Sequence, residues 1–296
     1  MNRKVAWGGI VIASLVGLTG CGLAAKVSAP PPRPKPLRPA YVVATPKATL
    51  AETAPTLQGI VWVLAGNAAS KGLYEVSLAD RKVIGSVSVT NAATSVAISP
   101  TGQLALGAGS GTDGFVEFLN HQTGQIAQTI PVGGAVRSLV ASADGSSFYA
   151  LDRAATSASV TVIDAQTDKV TETVPAALDA VSIVGTPGGS GVYYLQPDGK
   201  VSEVATVGGQ LETTFSVGHS GRSLALSPDG GTLYVLKGSG GSTNVAVVDV
   251  ATESVKRAIP AAANSVQIAL SPGGAQIYDL VGTPAFGNLQ AVRIPS

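Results

Sequence analysis

Short runs of alternating apolar and polar residues, separated by Gly, Pro, Asp and Asn, fill the chain from about residue 57 onward. That period predicts β-strands joined by tight turns, not helices. Five segments share one pattern: 95–106 (SVAISPTGQLAL), 138–151 (SLVASADGSSFYAL), 181–195 (VSIVGTPGGSGVYYL), 223–236 (SLALSPDGGTLYVL) and 266–280 (VQIALSPGGAQIYDL). Each reads as strand, turn, strand. The turn glycines Gly102, Gly145, Gly189, Gly230 and Gly274 follow one another at intervals of 43, 44, 41 and 44 residues. Pro early in the turn and Gly at its end supply the backbone angles a tight reversal needs.

A third strand follows each pair, clearest at 160–164 (VTVID) and 245–249 (VAVVD), and a fourth follows a short turn, as at 170–174 (VTETV). Four antiparallel strands per repeat of about 43 residues form the blade of a β-propeller. The second strand occurs a sixth time at 60–64 (IVWVL), so Leu64, Leu106, Leu151, Leu195, Leu236 and Leu280 mark six blades. The expected fold is therefore all-β, a six-bladed β-propeller over residues 41–296. The chain ends on a third strand, 289–294. Residues 41–44 (YVVA) are expected to supply the missing outermost strand of the last blade and close the ring. Residues 48–54 (ATLAETA), polar for the purpose, are expected to form the innermost strand of the first.

Residues 227–260, SPDGGTLYVLKGSGGSTNVAVVDVATESVKRAIP, resemble the YVTN β-propeller repeat: Ser-Pro-Asp-Gly, a Tyr-Val strand, a Val-rich strand ending in Asp, a Thr-containing turn and a final Ile-Pro strand. The resemblance covers about 57–296, strongly at 138–174 and 223–260 and more weakly in the fourth blade. It implies a propeller, often extracytoplasmic, and no single activity. No paired Gly-His and Trp-Asp recurs, unlike the WD-repeat family.

The N-terminus reads differently. Arg3 and Lys4 precede an apolar run, 5–18, of about 21 Å as a helix, short of the ~30 Å hydrocarbon core and so closer to a signal h-region than to a membrane span. The run ends in Leu18-Thr19-Gly20-Cys21, which resembles a bacterial lipobox. The resemblance implies removal of residues 1–20 and acylation of Cys21, the single cysteine of the chain, with membrane lipid as partner. Residues 21–40 form a Pro-rich tether. Six prolines between 30 and 39 favour extended polyproline II, with a reach of ~60 Å at most.

Charge refines this picture. Six of the 19 basic residues and none of the 18 acidic ones lie in the first 40 positions, leaving 13 bases against 18 acids in 41–296. An acidic main domain argues against nucleic acid, which needs a basic surface. The localisation expected is extracytoplasmic, lipid-anchored to a bacterial membrane, and the expected state is a monomer.

In a repeat protein, what recurs in every blade belongs to the scaffold. Asp164, Asp249 and Asn120, each followed at the third position by Thr167, Thr252 and Thr123, are turn caps on this criterion, and so are Asp144 and Asp229. Variation lies on the opposite face, in the second-to-third-strand loops 65–72, 107–114, 152–159, 196–200, 237–244 and 281–288 and in the blade-to-blade connections. Arg137 and Arg222 each stand eight residues before a turn glycine, where the other blades have Thr94, Val181 and Val266. Two arginines at one channel mouth suit a carboxylate or phosphate, and salt bridges to Asp179 or Asp152 are the alternative. His219, Asp179 and Asn264 belong to the same ring of connections, with Asp152, Arg153 and Lys237 just outside. No His/Cys metal spacing or phosphate loop is evident, and no cofactor is expected. The function expected is a binding scaffold for a protein, peptide or glycan on the loop-rich face. The alternative is a lactonase-like or other hydrolase at the central channel.

Overall fold

The structure, a computed structural model, describes residues 9–12 and 60–294, apart from 68–69, 78–79, 91, 121–122, 240–241, 272 and 283–286. All regular elements among these are strands, gathered into six sheets, five of four strands and the last of three. From the axis outward, blade 3 runs Ala135–Ala141, Ser147–Arg153, Ala158–Asp164 and Lys169–Ala176, each strand antiparallel to the next. Blades 2, 4 and 5 repeat this order. The six innermost strands pack one against the next around a closed circuit, and blade 6 meets blade 1. This is the six-bladed β-propeller that the repeat spacing predicts.

The turns fold as their residues dictate. Gly102, Gly145, Gly189, Gly230 and Gly274 all take positive φ, from 69 to 88°. A Ser or Thr at the head of each turn fixes it. Ser142 Oγ accepts Ser147 N–H at 2.9 Å, Ser227 Oγ accepts Thr232 N–H at 2.9 Å, and Ser99, Thr186 and Ser271 do the same in their blades. On the third-to-fourth-strand turns, Asp164 Oδ1 accepts Thr167 N–H at 2.7 Å and Thr167 Oγ1–H at 2.8 Å, and Asp249 holds Thr252 in the same way. Asn120 caps Thr123 N–H at 3.1 Å.

The core lies between blades, because each sheet buries both faces against its neighbours. Tyr149 and Leu151 of blade 3 pack on Ile183, Val192 and Tyr194 of blade 4, whereas Phe148 and Ala150 turn to Ala105, Val116 and Phe118 of blade 2. Phe118 and Phe148 meet edge to face, with centroids 5.1 Å apart.

Two details depart from the repeat as read. Leu106 faces blade 1, packed with Trp62, Leu64 and Leu73, so it is not the counterpart of Leu151. Ser95 pairs with Gly107 where Ser138 pairs with Leu151, making Gly107 the true equivalent. A Cβ on Gly107 would lie 2.4 Å from Val136 Cγ1, so the valine of the next blade fills the space a leucine would take. Second, the innermost strand of blade 1 is Gly9–Ile12, parallel to Ile60–Asn67. Its sequence, GIVI, is apolar, and its last three residues are β-branched, a composition that favours a strand. The segments 48–54 and 41–44, expected to open the first blade and close the last, lie outside the described residues.

Candidate functional site

The loop-rich face is built more from strand than the composition suggests. The strands Leu104–Ser110 and Asp113–Leu119, and likewise Thr232–Ser239 and Ser242–Asp249, run through most of the segments expected as loops. Backbone groups pair whatever the side chain, and Lys237↔Asn244, Gly238↔Thr243 and Ser239↔Ser242 continue the ladder above Leu236. Blade 4 is the exception. Its strands stop at Leu195 and resume at Lys200, and the turn closes through Gly199 N–H to Gln196 O at 2.9 Å. The rim of hairpins around the channel is therefore low at blade 4.

Below the rim lies a cavity of about 140 Å³ lined by Arg137 and Arg222, by Ser95, Ser138, Ser182 and Ser223, and by Val181, Val266 and Gln267. Consecutive residues line it together, which strict strand alternation forbids. The register explains this. It slips between Gly221 and Ser223, between Ser265 and Gln267, and between Ala93 and Ser95, and Val136 and Ser138 oppose adjacent residues of the partner strand. Arg222, Val266, Thr94 and Arg137 are the extra residues of β-bulges at the channel end of each innermost strand, and a bulge re-aims its side chain. Val181 takes the same place in blade 4, donating its N–H to Leu195 O at 2.8 Å.

The serine ring joins blade to blade. Ser95 Oγ accepts Leu139 N–H at 2.9 Å, Ser138 Oγ accepts Ile183 N–H at 3.4 Å, Ser182 Oγ accepts Leu224 N–H at 3.1 Å and Ser223 Oγ accepts Ile268 N–H at 3.2 Å. One hydroxyl thus ties each of four junctions. A Ser recurs at this place in four of the repeats, the only signal of these residues that the sequence carries. They are scaffold and cavity lining at once.

The two arginines differ in tethering. Arg222 donates from one terminal nitrogen to Ser265 O in blade 6, at 3.0 Å. Thr94 makes the corresponding bond to Val136 O, at 2.5 Å. Arg137 is exposed and has no hydrogen-bond or ion-pair partner among the described residues. Neither arginine pairs with a carboxylate there. The ion pairs described are Lys200–Asp198 at 3.0 Å and Lys256–Asp249 at 3.6 Å.

The other sequence candidates do not line the cavity. Asp152 is buried and accepts from Ser159 Oγ at 2.9 Å and Thr161 Oγ1 at 2.8 Å, while burial pushes its carboxyl above the usual range. Asp179 is exposed and accepts Gln196 Nε2–H at 2.9 Å. Lys237 turns back to donate to Val217 O. Asn264 is exposed at φ 64°, a left-handed turn conformation that Asn tolerates and that Ser220 adopts before the matching strand of blade 5. His219 is exposed beside Asp198, whose carboxyl is lowered chiefly by hydrogen bonds from Lys200 and only slightly by His219. Arg153 ends its strand half-buried. No three His, Cys, Asp or Glu side chains converge among the described residues.

Comparison with known proteins bears on the fold. No protein-family model and no curated protein matches the chain. Among solved structures it is similar to a chain of the Kuenenia stuttgartiensis hydrazine synthase, at 17% identity over 75% of this chain and 89% of that chain, with a TM-score of 0.50. That likeness, at such identity, shows the β-propeller fold and nothing of activity.

Proposed function

We propose that this protein is an extracytoplasmic binding scaffold, a YVTN-type propeller carried on a membrane by acylated Cys21 and the tether 21–40. Its ligand, a protein, peptide or glycan, docks on the loop-rich face at the channel mouth. The observation that carries the reading is the cavity there, polar and lined by two arginines without carboxylate partners among the described residues. An arginine left unpaired in a concave polar site is available for an incoming acceptor. The lipid anchor rests on the lipobox-like Leu18-Thr19-Gly20-Cys21 at the end of an apolar run.

The test is a thermal-shift screen of peptides, glycans and small anions with the purified chain, with and without EDTA. A ligand that binds the native state raises the apparent midpoint by mass action. EDTA-insensitive hits without turnover support the scaffold reading. Hydrolysis of a lactone or ester that EDTA abolishes would replace it with the hydrolase alternative.

A further inference from the structure

Three asymmetries of the ring coincide at blades 3 to 5 and restrict the chemistry of a ligand, taking the mouth as the binding face proposed above. The charged bulge residues Arg137 and Arg222 belong to blades 3 and 5, the two neighbours of blade 4. Blade 4 carries the short hairpin, and its own bulge position is Val181, which brings no competing polar group. Beneath these three positions stand Ser138, Ser182 and Ser223, all lining the same cavity.

The serines supply donors. A hydroxyl oxygen that accepts a backbone N–H keeps its own hydrogen for another acceptor. Ser138, Ser182 and Ser223 each accept from the next blade, and none donates to any group among the described residues. Ser182 and Ser223 are 8% and 3% exposed, so these hydrogens meet little but the cavity. The lining therefore presents the untethered Arg137, Arg222 with one terminal nitrogen engaged by Ser265 O of blade 6, and three hydroxyls, with no carboxylate among the described lining residues. Asp179 and Asp198 lie outside it, engaged by Gln196 and Lys200.

We propose that the mouth binds the terminal phosphate or sulfate monoester group of an elongated molecule. Its oxygens sit between Arg137 and Arg222 and over the hydroxyls of Ser138, Ser182 and Ser223. The rest of the ligand leaves across the low hairpin of blade 4. Three terminal oxygens arranged about an ester axis offer acceptors on three sides, matching donors from three successive blades. A carboxylate has two oxygens in one plane and leaves part of the donor set unmatched. A cavity of about 140 Å³ holds such a head group and not the body of a larger ligand.

Calorimetric titration of the full chain at pH 8 with phenyl phosphate, inorganic phosphate and acetate tests this. Phenyl phosphate is expected to bind most tightly and acetate least. Arg137→Met is expected to weaken phenyl phosphate about tenfold or more, the range for a charged hydrogen bond. Ser138→Ala removes the longest of the junction bonds and is expected to weaken it about fivefold, with the unfolding midpoint nearly unchanged. Lys256→Met, on the opposite face, changes neither. Equal affinity for acetate, or full phenyl phosphate affinity in the Arg137→Met protein, overturns the inference. If no oxyanion binds but uncharged peptide or glycan hits from the screen do, the oxyanion inference falls and the scaffold reading stands. If nothing binds, both fall.

Discussion

Asp279 sets the most informative residue-scale problem. It occupies a position held by Ala150, Tyr194 and Val235 in other blades, and it is 1% exposed. One carboxylate oxygen accepts Ser265 Oγ–H at 2.7 Å and Ala262 N–H at 3.3 Å, tying down the connection into blade 6, while Oδ1 is buried without a partner among the described residues. Beside it lies a cavity of about 10 Å³ walled by Val245, Ile259, Pro260, Ala261, Ile277 and Val292, room for about one water. Burial pushes the Asp279 carboxyl above its usual range, as it does for Asp152. A carboxyl raised in the folded state contributes stability that is fully present below its unfolded pKa and is lost as pH rises through the folded one. Asp279→Asn keeps an acceptor for Ser265 and cannot ionise. It is expected to raise the unfolding midpoint at pH 7, with the difference from wild type closing below about pH 4, in denaturation series across pH. A midpoint at pH 7 equal to or below wild type would show the charged form to be tolerated. The exposed turn carboxylates have the opposite sign. Hydrogen bonds from Thr167, backbone N–H first, hold Asp164 below the usual range, so its contribution is present above the unfolded pKa and fades as pH falls through the folded one. Thr167→Ala is expected to move the Asp164 pKa upward, read by carbon-detected NMR titration. The turn caps were legible because the Asp-x-x-Thr spacing recurs. Asp279 was legible only as a lone Tyr-Asp-Leu among Tyr-Ala-Leu and Tyr-Val-Leu strands, since it breaks a core pattern, not a loop pattern.

Elements explain what alternation alone misplaces. A period of two assigns each strand residue to one face, and that logic located the blades, the turns and the two arginines. It could not find that Arg137 and Ser138 share a cavity, because a bulge adds one residue to a strand without altering its composition. Nor could it separate Leu106 from Leu151, because Leu104 and Leu106 flank Ala105 with the same apolar character on both faces. The segments read as loops were misjudged for a related reason. Gly and Asn are weak strand formers, yet their backbones complete hairpin ladders when the flanking strands hold register. The blade 4 hairpin is the place where backbone geometry is least replaceable. Gly199 has φ 86°, and a Cβ there would lie 1.2 Å from Gly218 O, in the connection whose Val217 N–H donates to Gly199 O at 2.9 Å. Gly199→Ala combines a disfavoured φ with a backbone clash and is expected to cost at least ~3 kcal/mol in chemical denaturation. A loss under ~1 kcal/mol, within the range of ordinary surface changes, would mean that the short hairpin moves freely relative to the connection.

At the scale of the whole molecule, a propeller is stable only as a closed ring, since each blade buries both faces against neighbours. Blade number and repeat length were legible because they follow from spacing, which is local. Closure was less so, because it depends on which distant segment takes the last places. The edge of Ile60–Asn67 is paired by Gly9–Ile12, part of the apolar run that the lipobox reading expects to be cleaved away. Cleavage before Cys21 removes that strand and exposes the backbone edge of blade 1 together with the junction between blades 1, 2 and 6. An innermost edge left unpaired costs its backbone hydrogen bonds. If the lipobox reading holds, the mature chain needs another strand there, and residues 48–54 are the segment that the repeat order assigns to the place. A chain of residues 21–296 carrying Cys21→Ser is then expected to unfold cooperatively and to lose stability sharply when 48–54 is deleted, whereas deletion of 22–36 from the tether leaves the midpoint within a degree or two. Equal midpoints for the chains with and without 48–54 would show that the ring closes without that segment. A chain of 21–296 that fails to fold at all, beside a stable full-length chain, would make Gly9–Ile12 a permanent strand of blade 1 and would count against cleavage at Cys21.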